Sequence, residues 1–374
     1  MKRAYCAVRG PGCSGFKKLQ AHAQGNFIMK KSLVIGTAVA AFAMVAIVSG
    51  ASAQSWTDST TVSGRMYADF SNIDNKVDGV EAAPSGTGFD IKRLYIGVDH
   101  KFNEMFSANV TTDFQYSSAI SSTEIYLKKA YLQAKFSDAL VVRVGATDLP
   151  WVPYVEDIYG YRYVENTLAD RAKVATSADW GLHAAGKLNR NFSYAVAAVN
   201  GNGYKNPSRT KGMDFEGRLS AKFDQWNFAV GGYTGKLGQE VAGGVATPNT
   251  ATRVDALAAY VGDRGRIGVE YFSANDYSAA LVKNPANVDD KADGYSVFGS
   301  YRLTPTYTLF GKAEEVKPSK TLTPSKKDQY YNAGVSFAAF KGVSFAAVVK
   351  HDEVTSIGHK TTNNEVGIWT EVRY

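Results

Sequence analysis

Cysteine is almost absent from this chain, and its two cysteines, Cys6 and Cys13, both lie ahead of a secretory leader. From Met29 onward, Lys30 and Lys31 form a positive head and Leu33 to Val48 an apolar run. Gly50 breaks that run, and Ala51-Ser52-Ala53 offers a small-x-small cleavage site. Residues 29–53 therefore read as a cleaved signal peptide, and residues 1–28 as an upstream extension with translation starting at Met29. Cleavage leaves 54–374 without cysteine, which excludes disulfides, thiol catalysis and Cys-ligated metal. No second apolar run of spanning length follows, so a helical membrane bundle is excluded too. Net charge is also missing. The formal +7 equals the seven basic residues Lys2, Arg3, Arg9, Lys17, Lys18, Lys30 and Lys31, and 42 less these seven leaves 35 basic against 35 acidic. Such a balance gives no ground for a nucleic-acid partner. Histidine is scarce: the exported part holds His100, His183, His351 and His359. Only at His351-Asp352, beside a last long loop ending at His359, do a histidine and a carboxylate adjoin. Without a GxSxG elbow or a metal-spaced cluster, no enzyme, cofactor or metal centre is expected.

What is plentiful is tyrosine, 22 against 5 tryptophans, together with glycine and strict alternation. At 106–117, Phe106, Ala108, Val110, Thr112, Phe114 and Tyr116 alternate with Ser107, Asn109, Thr111, Asp113, Gln115 and Ser117, the period of a strand with one greasy and one wet face. Reading every such run predicts about sixteen strands, at 61–71, 89–102, 105–116, 123–136, 139–147, 178–188, 191–200, 211–223, 226–235, 252–262, 265–273, 293–303, 306–316, 328–339, 342–351 and 364–374. Their connections alternate between tight turns and longer polar loops. The turns are Asn103-Glu104, Ser137-Asp138, Asn189-Arg190, Asp224-Gln225, Asp263-Arg264, Thr304-Pro305 and Phe340-Lys341. That pattern predicts an all-β, up-and-down antiparallel transmembrane barrel over 54–374, in contact with outer-membrane lipid and lipopolysaccharide. An even strand count places both termini on the short-turn side, so the first and last strands close without an edge. A soluble sandwich would show a linker and a solenoid a fixed period; neither is present. Val366, Ile368, Thr370, Val372 and Tyr374 share one face at the C-terminus. This ending resembles the assembly signal of bacterial outer-membrane proteins, with tyrosine in place of the usual phenylalanine.

The longest connection, about 148–177, is the third long loop. Pro150 and Pro153 stiffen its entry, and Tyr154, Glu156, Asp157, Tyr159, Tyr161, Arg162, Tyr163 and Arg171 give it aromatic bodies and charges of both signs. It is expected to fold into the lumen and constrict it, the alternative being an outward loop packed on neighbours. Assigning apolar parity to lipid turns Arg65, Arg93, Lys129, Arg143, Lys187, Arg218, Arg266, Arg302 and Lys312 inward. The acids Asp69, Asp99, Asp113, Asp214, Glu216, Glu270, Glu314 and Glu371 face the same way. In so wide a barrel these groups are expected to line water. They either pair with one another or form a basic ladder that draws anions through. Lys128 falls on lipid parity, which suits a subunit interface or a bulge. Small inward residues (Ser63, Gly97, Gly145, Gly181, Gly231, Gly268, Ser296, Ser300, Gly334, Ser336) favour an open passage for small hydrophilic solutes or inorganic anions. The other readings are a plugged barrel acting as adhesin or receptor, and a barrel hydrolase.

Three stretches carry a family resemblance. Val144-Gly145 leads into the proline-bearing third loop with its late Arg171; Asp179-Trp180-Gly181-Leu182 follows; Phe192, Tyr194 and Asn200-Gly201-Asn202-Gly203 come next. This order resembles the phosphate-selective porin family, porins O and P, most recognisably over 88–223. The resemblance implies a trimeric sixteen-strand porin with the third loop inside. It does not carry phosphate specificity with it. That specificity depends on a dense arginine ladder, whereas this loop sets Asp148, Glu156, Asp157, Glu165 and Asp170 against Arg162, Arg171 and Lys173.

Overall fold

Alternation of greasy and wet residues becomes a closed wall. The computed structural model describes residues 58–117, 122–242, 249–277 and 288–374; the leader and upstream extension lie outside them. Sixteen long strands run in order. They are β1 (Thr60–Val77), β2 (Gly86–Lys101), β3 (Phe106–Ser117), β4 (Ser122–Ser137), β5 (Leu140–Asp148), β6 (Ala178–Lys187), β7 (Phe192–Val199) and β8 (Asp214–Phe223). The second half comprises β9 (Trp226–Gly235), β10 (Ala251–Gly262), β11 (Gly265–Asn275), β12 (Lys291–Arg302), β13 (Tyr307–Lys317), β14 (Lys327–Phe340), β15 (Val343–Ser356) and β16 (His359–Arg373). A two-residue strand, Val80–Glu81, folds back on the end of β1. Each strand pairs antiparallel with its sequence neighbours, and β1 pairs with β16 from Arg65↔Arg373 to Val77↔Thr361, so the sheet closes. Gly64 and Tyr374 exchange backbone hydrogen bonds at that seam, with N···O distances of 2.8 and 3.1 Å. Closure removes the free edges that an open sheet would offer to aggregation.

All sixteen expected strands form, with two departures. β1 runs on to Val77 and β16 begins at His359, so the first and last hairpins stand taller than expected. The last long loop is instead the tight turn Ile357-Gly358, with positive φ at both residues. His351 and Asp352 are therefore strand residues on opposite faces: His351 meets Asn364 on the outside, while Asp352 faces inward toward Arg171. Adjacency in sequence does not make them a catalytic pair.

Large apolar side chains cover the outer face, among them Phe89, Val144, Val230, Val254, Ile267 and Val349, all exposed. So continuous a band suits hydrocarbon rather than water. Near the tight turns, exposed Phe102, Phe136, Phe223, Trp226, Tyr301, Tyr307 and Phe340 form an aromatic girdle, as expected at a membrane interface.

Two bulges break the alternation where it matters. The β1–β2 register slips between Tyr67 and Ala68, and the β3–β4 register between Thr111 and Thr112. A bulge opposes two residues to one and re-aims a side chain. Lys92 thereby points inward beside Arg93, and Lys128 beside Lys129. The bulge, not a subunit interface, resolves the anomalous parity of Lys128.

Candidate functional site

The third loop, 149–177, enters the barrel and crosses it. Its sequence explains its local shape. Pro153 sits in the first turn of helix α1 (Val152–Tyr159), where a missing N–H is harmless. Gly160 ends that helix at φ 77°, a conformation that glycine takes without strain. A short second helix, α2 (Leu168–Arg171), follows. Trp151, Val152, Val155, Ile158, Tyr159 and Leu168 are buried with Leu257, Phe272, Phe298, Phe310, Val316 and Trp369 of the far wall. Burial of each such side chain contributes about 1.5–3 kcal/mol, which outweighs the pull of water on the loop. α1 touches β10, and α2 touches β11 and β12.

Polar anchors complete the dock. Glu216 accepts from the Trp151 N–H at 2.9 Å, and Glu270 accepts from the Trp151 indole and the Leu168 N–H, each at 3.0 Å. Fully buried Arg253 pairs with Glu216 at 3.0 Å and Asp255 at 2.8 Å, and donates to the Val174 carbonyl at the loop's exit. Arg171 reaches Glu314, Asp328 (2.9 Å) and Asp352 (3.7 Å), with its guanidinium 4.8 Å from the Tyr330 ring. Lys350 donates to the Val164 carbonyl at 2.8 Å and lies 3.5 Å from Glu165. Breaking one partner out of a buried set of this kind costs about 3–5 kcal/mol.

The far side of the barrel is consequently dry, which corrects the expectation that inward residues everywhere line water. Glu216, Glu270, Lys312 and Glu314 are buried under the loop. Arg218 stacks on Tyr154 with its guanidinium 3.8 Å from the ring, and Arg266 caps α1 by donating to the Ile158 carbonyl at 2.7 Å. Of the small inward residues, Gly231 makes room for Trp151, Gly268 for Phe298 and Gly334 for Phe310; a Cβ at any of them would collide with the ring. Within the loop, Tyr159, Tyr161 and Tyr163 sit in the dry seam rather than facing water, Tyr161 stacked on Phe310 at 4.1 Å. Arg171 serves as an anchor.

Water is left the other side. Between the loop and the wall of β1–β5 lies a cavity of about 580 Å³, open toward the short turns. Glu156, Asp157 and Arg162 line it from the loop; Arg65, Asp99 and Lys129 line it from the wall. Lys129 pairs with Asp148, Arg162 with Glu156 at 2.6 Å, and Arg65 lies 3.9 Å from Glu371. Asp157, next to Glu156 in the vestibule, has its carboxyl pKa raised above the usual range, by partial desolvation first and that neighbour second. Arg143 sits on the same wall, bonded to Gln133 at 2.8 Å, while Asp69 is buried against Lys92 at 3.3 Å. Lys187 and Arg302 stand exposed at the short-turn rim.

Above this vestibule lies a second, smaller cavity of about 150 Å³, which shares Tyr95, Lys128 and Arg162 with the first. The bulge residue Lys128 is buried there, its ammonium 3.4 Å from the Tyr95 hydroxyl and 4.6 Å from that ring's centre. Arg93 pairs with Asp113 at 3.3 Å. The roof comes from the fourth loop, 200–213, which sequence reasoning passed over. Tyr204 dips inward and donates to Asp113 at 2.6 Å, while Lys205 lies over the Tyr126 ring at 4.7 Å. Arg253 was also overlooked, although it shares its strand parity with Asp255. Among the described residues no group of His, Cys, Asp and Glu has the geometry of a metal site.

Residues 61–152 match the family model described as phosphate-selective porin O and P. That span contains β2–β5, nearly all of β1, both bulges and the loop's entry with Val144-Gly145 and Pro150; the later motifs, from Pro153 to Gly203, lie beyond it. None of the curated proteins matches the chain. Among solved structures, the anion-selective porin from Comamonas acidovorans aligns at TM-score 0.63 and 11% identity, covering 84% of this chain and 99% of that one. The outer membrane channel DcaP of Acinetobacter baumannii aligns at 0.62 and 12%, covering 84% and 97%. The trimer form of OmpT, an outer membrane protein of Vibrio cholerae, aligns at 0.58 and 13%, covering 84% and 99%. At such identities the likeness speaks for the fold, a closed sixteen-strand porin barrel.

Proposed function

We propose that this chain is a passive diffusion channel of the bacterial outer membrane, admitting small hydrophilic solutes and ions with a leaning toward anions. The observation that carries the reading is the polar passage between the third loop and the β1–β5 wall, lined by charged side chains and roofed by loop residues. Positioned charges in a narrow aqueous path select by electrostatics rather than by chemistry. The anion leaning is supported by Lys128, which the β4 bulge turns inward beside Arg93 and Arg162, and by the anion-selective porin among the structural neighbours. A phosphate preference has the family match over 61–152 as its support. Export through a cleaved leader, contact with lipid and lipopolysaccharide, and assembly as a homotrimer belong to the same reading; the trimer form of OmpT supports the last. A non-enzymatic role fits the separation of His351 from Asp352 across the wall.

The dry seam favours a second reading, a plugged barrel whose outer loops act as receptor or adhesin, because the third loop packs into the lumen against the far wall. Bilayer recording separates the two. The full chain, expressed and extracted from the host's outer membrane, is expected to give discrete single-channel steps. A heat-modifiable barrel that gives none would transfer support to the plugged receptor.

A further inference from the structure

Charge is distributed unevenly along the passage. In the vestibule, cations and acids nearly balance. In the smaller cavity, Arg93, Lys128, Arg162 and Lys205 surround about 150 Å³; among the described residues Asp170 is the one lining acid, and Arg162 pairs with it at 3.8 Å and with Glu156 at 2.6 Å. The nearby Asp113 is already engaged, since Arg93 and the Tyr204 hydroxyl both bind its Oδ2. The fourth loop is not a loose flap. The Tyr204 N–H donates to the Ala178 carbonyl at 3.0 Å, its own carbonyl accepts from the Trp180 indole at 3.2 Å, and its hydroxyl reaches across to β3.

We propose that the fourth loop, through Tyr204 and Lys205, completes an anion filter at the long-loop mouth of the passage, sized for one small inorganic anion. The inference rests on the diffusion-channel reading and locates its selectivity. Tyr204 is the positioning residue: it pins the loop by donating to the Asp113 carboxylate, whose charge Arg93 balances. Lys205 adds a charge from the loop side to those that Arg93 and Lys128 bring from the strands. In a narrow site of low dielectric, a cluster of like charges concentrates the opposite ion far more than the same charges spread over a wide lumen.

The test is the reversal potential across a potassium chloride gradient, with the full chain in planar bilayers. Lys205→Glu is expected to lower the chloride-to-potassium permeability ratio by about threefold or more, and Lys205→Gln by less. Lys205→Arg should retain the wild-type ratio. The same reversal at Lys76, on the outer face of β1, should leave it unchanged. Normal steps with an unaltered ratio in Lys205→Glu and Lys205→Gln would overturn the filter while leaving the channel reading intact. A wild-type chain without steps would overturn both.

Discussion

Individual side chains decide what the passage does, and Asp157 shows how. It is the exposed acid of the constricting loop, facing the vestibule beside Glu156. With its pKa raised, it takes up a proton at a higher pH than an ordinary carboxylate. Protonation removes a negative charge, so anion preference is expected to rise as pH falls through the range just above that of ordinary carboxylates. In Asp157→Asn that rise should be absent, with the ratio high at neutral pH. Reversal potentials at stepped pH check this, and a parallel pH response in the variant would refute it. Glu165 behaves oppositely. Burial alone would raise its pKa, but Lys350 and Lys312 hold it down at about 2, so the loop's anchor there persists until strong acid. Depression of this kind stabilises above the unfolded pKa and is lost only as pH falls through the folded value.

At the scale of elements, alternation made the wall legible and failed where regularity itself gives way. Strand positions followed from period-2 patterning because a one-residue slip would put every greasy side chain in water. The bulges were invisible as such; Lys128 on the wrong parity was their only trace. Alternation also tells inward from outward but not wet from dry, which is why Glu270 and Arg266 read as lumen-lining when they hold the loop down. The loop's own apolar residues, Trp151, Val152 and Val155, were the available sign that it needs a dry partner. Tyr204 was hidden among loop glycines, since nothing local to a loop reveals the Asp113 that it reaches on β3. A deletion tests the bulge on β4. Without Lys128, Leu127 and Lys129 still alternate outward and inward, so the barrel should assemble and remain heat-modifiable. Anion preference should fall. Loss of the barrel would mean that the bulge serves folding rather than conduction.

For the whole molecule, closure is the cooperative event, and Tyr374 stands at the seam. Its backbone bonds to Gly64 and its ring lies against that glycine, leaving no space for a Cβ there. Removing Tyr374 is expected to reduce the yield of heat-modifiable barrel severalfold, while Tyr374→Phe retains it; the gel shift of unboiled samples measures both. If the truncated chain assembled as well as the intact one, closure would not depend on that residue. The passage itself lies off-centre, bounded by β1–β5 on one side and by a loop bolted to the rest of the cylinder on the other. A solute consequently meets an arc of wall rather than a ring. Substitutions along β2, β3 and β4 can retune what passes without disturbing the buried half that keeps the cylinder in shape. Such a partition separates what selects from what holds the shape, and it marks those three strands as the place to engineer a new preference.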